Sequence, residues 1–366
     1  MKKNSILIFL PTAILGGAER VAYNLANYLA RDLNFAEVSI YFMSRGRQSE
    51  LWSELDELEN ITLIYADCQR ERNSLLPLLL FAFKTRFMYV YSTHTHVNAF
   101  LSLLSTLRLL RCKKLIARES TVISDRFTGL RAFEFKMLYK LYRSHDLLIC
   151  QTQYMHKRLI ETQGDHIAKK IKVIPNPVNL SIINKMSSQY EYKYDQSFIN
   201  ITCVGRLISV KNFSLVLQAI YELPNKHKSD VFIHLVGDGN LKNDLKDLAV
   251  KLGVRNIKFH GNIKNPFSYM NQSDIGIVSS LKEGFPNVLL EMMAAGTKYI
   301  ISTPCAGDID LLDEVFILKN FETKPLALEI EKALLERPDK TKVYQEYVLS
   351  RSTLSFWNVI NQQLAH

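Results

Sequence analysis

At 366 residues, with 47% hydrophobic and 22% charged side chains, the chain is longer than one hydrophobic core sustains, and its composition excludes a disordered or low-complexity protein. Its five cysteines, Cys68, Cys112, Cys150, Cys203 and Cys305, are odd in number and never spaced C-x-x-C; they indicate neither a disulfide framework nor a zinc motif and suit a reducing cytoplasm. The formal charge of +10 lies wholly in the first half: residues 1–185 hold 26 Lys and Arg against 16 Asp and Glu, and residues 186–366 hold 20 of each, a distribution suited to anionic lipid or nucleic acid.

Met1 to Leu10 has the look of a signal peptide, but its apolar run is short and meets Pro11 and a Gly16-Gly17 turn, so it reads as a first buried strand over 5–10. Further strands are predicted near 38–43, 61–65, 88–92, 114–118, 146–150 and 171–175. A second series follows near 199–204, 230–236, 256–260, 274–278 and 298–302, with helical periodicity between strands throughout. Val21, Leu25, Tyr28 and Leu29 set one helix face against the first sheet. The apolar run from Leu75 is interrupted by Pro77 and closed by Lys84, well short of the roughly 20 residues a membrane span needs. Residues 127–143 are apolar and basic, as in an interfacial helix or a core helix with a solvated basic edge. Pro175-Asn176-Pro177 and the polar tract after it mark a domain boundary, because proline fixes φ and restricts its predecessor. Beyond 320 the chain reads as helices, ending with Phe356, Trp357, Ile360 and Leu364.

Gly16 and Gly17 open the first helix, where a missing side chain lets backbone approach a ligand and permits positive φ. The turn is not G-x-G-x-x-G, and the second strand ends in Ser44-Arg45, not an acidic residue, which disfavours a nicotinamide enzyme. His94, His96 and Asn98 cluster where the fourth strand meets a helix; no third ligand stands at a metal-motif spacing. Arg206 and Lys211 flank the first strand-to-helix loop of the second half, either as solvated surface cations or as a pair able to neutralise a diphosphate. Gly237-Asp238-Gly239 and His260-Gly261-Asn262 end the next strands, as turns or as base-binding loops.

Glu283 and Glu291 stand around a helix start with seven residues between them. Pro286 suits the first helical position and Gly296 the stop; Asn287 and Glu291 share a face, while Val288, Leu289, Met292 and Met293 turn to the sheet. Backbone N–H groups and the positive end of the helix dipole favour a phosphate there, and two carboxylates beside it suggest a sugar nucleotide. A carboxylate pair also suits a hydrolase, but one of these two sits where the nucleotide should lie. Asp308-Ile309-Asp310 is a D-x-D placed too late in the second domain for a metal-nucleotide role.

Glu283 to Gly296 resembles the E-x7-E signature of retaining glycosyltransferases of the GT-B fold, family 4. Gly16-Gly17-Ala18-Glu19-Arg20, Ile174-Pro175-Asn176-Pro177-Val178-Asn179, Val204-Gly205-Arg206-Leu207 with Lys211, and Val236-Gly237-Asp238-Gly239 fit it in order, so the resemblance spans nearly the whole chain. It implies two Rossmann-like domains facing a cleft: an acceptor domain over 1–178, a linker over 179–197, a nucleotide-sugar domain over 198–350, and a last helix over 351–366 crossing back to the first domain. It implies Arg206 and Lys211 on the pyrophosphate, Glu283 at the donor sugar and Glu291 on the ribose hydroxyls, with Phe285, Pro286, Asn287, Gly237 and His260 lining the donor, and Gly16 and Gly17 at the ligand. A histidine near the fourth strand approaches the reacting sugars in such enzymes, and His96 is the one assigned. The family often has a histidine where Arg118-Glu119-Ser120 stands, which leaves Glu119 as either an acceptor-side polar group or a surface residue. The expected partners are a UDP-sugar, a polyprenyl-diphosphate-linked glycan and an anionic membrane at the cytoplasmic face, with no obligatory metal or cofactor and no nucleic acid. A nucleic-acid-binding α/β protein and a GT-B epimerase or phosphorylase are the competing readings.

Overall fold

The computed structural model describes residues 4–14, 16–44, 50–68, 71–164, 167–312 and 314–365; residues 1–3 and Arg45 lie outside the described residues. The chain divides into two compact units, Met1–Pro177 with Thr353–His366, and Val178–Ser352.

Among the described residues the first unit holds a seven-stranded sheet of β1 (Ser5–Leu10), β2 (Glu37–Phe42), β3 (Ile61–Tyr65), β4 (Arg86–Thr93), β5 (Arg111–Arg118), β6 (Leu147–Cys150) and β7 (Ile171–Val173), ordered β3-β2-β1-β4-β5-β6-β7. All pairings are parallel. Every residue of β1 is buried, as a strand covered on both faces must be. Leu7, Phe9, Val90 and Leu115 pack with Val97, Leu101 and Leu104 of the Thr95–Thr106 helix. In the C-terminal Thr353–Ala365 helix, which belongs to this unit, Trp357 meets Phe35 and Tyr89 edge-on at 5.6 and 5.3 Å. Chain order reverses between β1 and β4, so the ligand-binding crevice of such a sheet falls at their carboxyl ends, beside Gly16 and His94.

The second unit repeats the scheme with β8 (Ile199–Val204), β9 (Val231–Val236), β10 (Ile257–Gly261), β11 (Ile275–Val278), β12 (Tyr299–Ser302) and β13 (Phe316–Ile317), ordered β10-β9-β8-β11-β12-β13 and parallel. Its switch point lies between β8 and β11, which places the loops 205–211 and 279–286 side by side. Ile201, Ile233 and Ile277 pack with Val216 and Ile220 of the Phe213–Glu222 helix, and Leu289, Met292 and Met293 of the Asn287–Ala295 helix fill a second cluster.

Three details depart from the sequence expectations. Residues 180–187, placed in a linker, form the Leu180–Ser187 helix: the Asn179 side chain accepts from the Ile182 N–H at 3.1 Å, and Ile183 is buried in the cluster holding Met293. The two-residue strand β13 has too short an apolar run to be seen. Within 127–143 the helix covers only Gly129–Tyr139. No helix among the described residues is long and apolar enough to cross a membrane.

Candidate functional site

In the second unit the loops after β8, β11 and β12 are fastened together by backbone. Leu281 N–H donates to Val210 O at 2.8 Å, Ser279 Oγ to Lys211 O at 2.8 Å, and Glu283 N–H to Cys305 O at 2.7 Å. This scaffold sets Lys211 Nζ 2.6 Å from Glu283 Oε1, with Ser280 Oγ donating to the same oxygen at 2.9 Å. Both side chains of the pair stay about one-fifth exposed, so the ion pair faces outward as well as into the loops. A lysine ammonium has three donors, and one bond to Glu283 leaves it able to hold a phosphate too.

The Asn287–Ala295 helix begins four residues after Glu283. Pro286 is its N-cap, one position earlier than expected, and its ring offers no cap hydrogen bond. Gly296 ends it in the left-handed region at φ 100°, as its sequence position implies. Asn287 and Glu291 are half-buried on one face, and Phe285 and Val288 pack partly against the buried cluster. Arg206 is exposed in the loop after β8.

Two residues assigned to the donor also have a local packing role. A Cβ on Gly237 would lie 1.9 Å from Gly205 O, so glycine is required there by the packing of two loops, at φ 137°. The His260 ring is taken up by His234, its Nε2 3.0 Å from His234 Nδ1, and by Tyr192 and Tyr269 edge-on.

In the first unit Gly16 is the N-cap of the Gly17–Arg31 helix at φ −97°, so it uses no glycine-only conformation. Its N–H donates to Glu19 Oε2 at 3.2 Å, and Glu19 Oε1 lies 3.6 Å from His94 Nε2. His94 is the N-cap of the Thr95–Thr106 helix at φ 89°, ψ 126°, a conformation costly for any residue but glycine, and its Nδ1 lies 2.8 Å from Thr93 Oγ1. The strain falls on His94 and not on His96, whose half-buried ring is 6.1 Å away. Glu19 and the strained His94 are the members of this constellation that sequence reasoning left without a role. The G-x-x-E spacing of a capping box was the available signal for Glu19; φ leaves none.

Glu119 is not a surface residue. It is 1% exposed, and its carboxylate accepts from Thr95 Oγ1 (2.8 Å), Asn98 Nδ2 (3.0 Å), Tyr139 Oη (2.9 Å) and Tyr142 Oη (2.6 Å). Burial raises its pKa against the pull of those hydrogen bonds. Arg118, equally buried, donates to Asn176 Oδ1 at 2.6 Å, and burial lowers its pKa. Among the described residues no group of three or more His, Cys, Asp and Glu is arranged to hold a metal.

Two parallel-sheet Rossmann-like units, each with its loops gathered at the switch point, define a GT-B protein. Residues 15–182 match the model of Glycosyltransferase Family 4, and residues 191–348 that of Glycosyl transferases group 1. The chain belongs to the family 4 glycosyltransferases of the GT-B fold. It is 32% identical over 184 residues to an uncharacterized glycosyltransferase of Methanocaldococcus jannaschii, covering 48% of this chain and 44% of that one, so the match spans less than half of that relative. It is 23% identical over 313 residues to a Campylobacter jejuni enzyme named GalNAc-alpha-(1->4)-GalNAc-alpha-(1->3)-diNAcBac-PP-undecaprenol alpha-1,4-N-acetyl-D-galactosaminyltransferase, covering 84% of this chain and 82% of that one. The crystal structure of Anabaena HepE in complex with UDP superposes with a TM-score of 0.77 at 17% identity over 99% of both chains, a likeness of fold.

Proposed function

We propose that this chain is a retaining glycosyltransferase that moves a hexose or N-acetylhexosamine from a UDP-sugar to a polyprenyl-diphosphate-linked glycan in surface-polysaccharide assembly, working at the cytoplasmic face of a membrane. The observation that carries this is the Lys211–Glu283 pair at 2.6 Å, set at the switch point of the second sheet just ahead of the start of the Asn287–Ala295 helix. The bond from the anomeric carbon to the β-phosphate oxygen breaks with its electron pair on the diphosphate, the acceptor hydroxyl oxygen bonds that carbon, and the hydroxyl proton passes to the departing phosphate. Lys211, Arg206 and the Asn287–Ala295 helix dipole meet that charge. Glu283, held by Lys211 and Ser280, sits at the donor sugar, and Glu291 takes the ribose hydroxyls. Because two side-chain cations supply the counter-charge, turnover is expected to survive EDTA; loss on chelation with recovery on adding magnesium would refute that part.

The acceptor class is supported by the undecaprenol-linked substrate in the name of the Campylobacter relative and by the first unit's surface. Leu130, Phe133 and Met137 of the Gly129–Tyr139 helix are exposed beside Arg131, Lys136 and Lys140, and Leu76, Leu80 and Phe83 beside Lys84. Apolar side chains ringed by cations suit an anionic membrane. A thermal-shift panel of UDP-, GDP- and ADP-sugars selects the donor, since a ligand of the folded state raises its melting temperature. Transfer is then assayed with retention of the α linkage as the readout. Undiminished transfer by Glu283→Gln would reject the site.

A further inference from the structure

The Gly129–Tyr139 helix buries only one of its residues, Tyr139, and leaves Leu130, Phe133 and Met137 83%, 60% and 43% exposed. Its core-facing side is shallow: Phe135 and Leu138 are only partly buried against the cluster that holds Tyr139, and the Phe135 ring stacks on Phe127. The fully buried part of its anchorage lies at one end. Tyr139 and Tyr142 are buried with their rings 4.8 Å apart, and both hydroxyls donate to Glu119. The other two donors to that carboxylate, Thr95 and Asn98, lie in the first turn of the Thr95–Thr106 helix, bracketing His96 and directly following the strained His94. Asn98 is in turn fixed by Ser92 Oγ at 2.6 Å and by donating to Arg118 O at 3.2 Å. One carboxylate therefore joins the end of this helix to the helix turn that carries the histidines, beside the direct bonds of Tyr142 Oη to Thr95 O at 3.1 Å and of Ser102 Oγ to Leu141 O at 2.6 Å. A buried carboxylate cannot spare its donors cheaply, so the two attachments are coupled.

We propose that Glu119 is a positioning residue for the acceptor: through Tyr139 and Tyr142 it locks the Gly129–Tyr139 helix to the His94–Asn98 turn, so that an acceptor carried on the surface this helix meets is presented to that turn at a fixed register. The kinetic half of the proposal rests on the transferase reading above; the mechanical half does not.

The test uses the full chain with Tyr139→Phe, Tyr142→Phe, the double substitution, and Glu119→Gln. Transfer is measured from the UDP-sugar of largest thermal shift to undecaprenyl-diphosphate N-acetylglucosamine in phosphatidylglycerol vesicles. The double variant should raise the acceptor KM at least tenfold while the donor KM and acceptor-free nucleotide release stay within twofold of the parent. Equal changes in donor and acceptor constants, or no change in either, would overturn it. Hydrogen exchange supplies an arm independent of activity. Residues 95–98 and 129–139 should lose protection together in the double variant, and a loss confined to 129–139 would overturn the coupling. If the parent chain transfers no sugar at all, the functional reading fails while the exchange arm still decides this one.

Discussion

The Lys211–Glu283 pair asks one oxygen to serve two partners, since Glu283 Oε1 accepts from both Lys211 and Ser280. Glu283→Gln keeps the shape and removes the charge that orients the ammonium; with the proposed role, kcat should fall about 10²-fold, the scale of losing one preorganised electrostatic group. His94 gives a sharper test because its backbone and side chain pull in opposite directions. His94→Gly relieves a conformation that costs a non-glycine residue about 1–3 kcal/mol, so the melting temperature should hold or rise while kcat/KM falls at least tenfold. A fall in melting temperature in step with activity would make His94 a packing residue. At this scale the sequence is legible for charge and spacing, which drew Lys211, Arg206 and the two glutamates toward one loop cluster. It is silent on φ and burial: the resemblance singles out His96 while the strained backbone is at His94, and Glu119 reads as either an acceptor-side group or a surface residue although four donors enclose it.

Among elements, the strands were readable because a parallel sheet covered on both faces needs continuous apolar runs, and each run stands out between polar turns. β13 and the Leu180–Ser187 helix were not, since two residues form no pattern and a proline-rich approach masks the Asn179 cap. The loop after β9 shows a constraint that sequence leaves ambiguous: Gly237 reads equally as ligand loop or turn, and in either case a Cβ would lie 1.9 Å from Gly205 O, so packing alone requires glycine. Gly237→Ala should therefore destabilise the second unit by about 3 kcal/mol or more, through overpacking against backbone that cannot yield. A calorimetric transition within a degree of the parent's would contradict this. The last helix is held to the first unit by Trp357 against Phe35 and Tyr89. Trp357→Ala should cost about 3–5 kcal/mol, measured by urea unfolding followed in the far ultraviolet.

For the whole molecule, the two units differ in how they answer acid. In the second, Asn200 Nδ2 donates to Asp195 O and Phe198 O, so its Oδ1 accepts from His234 Nε2 at 2.9 Å, and His234 Nδ1 must then accept from His260 Nε2. His234 is thus neutral and stacks on Tyr194, while His260 meets Tyr192 and Tyr269 edge-on, with Lys258 close by. Burial first, then neighbouring charge, lowers His234 to about 3 and His260 to about 4. An unfolded histidine takes its proton near 6.5, so between 6.5 and 4 the unfolded chain binds protons that the folded unit refuses, and stability falls as pH drops through that window. Hydrogen bonds hold Asp195, Asp238 and Asp339 of the same unit below their usual value, which acts in the same direction at lower pH. In the first unit His145, pushed down to about 3 by burial, also favours unfolding in acid, but Glu119 opposes it: its raised pKa means the folded state binds the proton more readily. The second unit should therefore unfold first as pH falls. The chain's two tryptophans, Trp52 and Trp357, both lie in the first unit, which makes the order measurable. At pH 4.5 the far-ultraviolet melt should begin below the tryptophan-fluorescence melt, whereas at pH 7.5 the gap should narrow, and His234→Gln should reduce its pH dependence. Coincident melts at both pH values would show that the histidine chain does not set the acid limit of this fold.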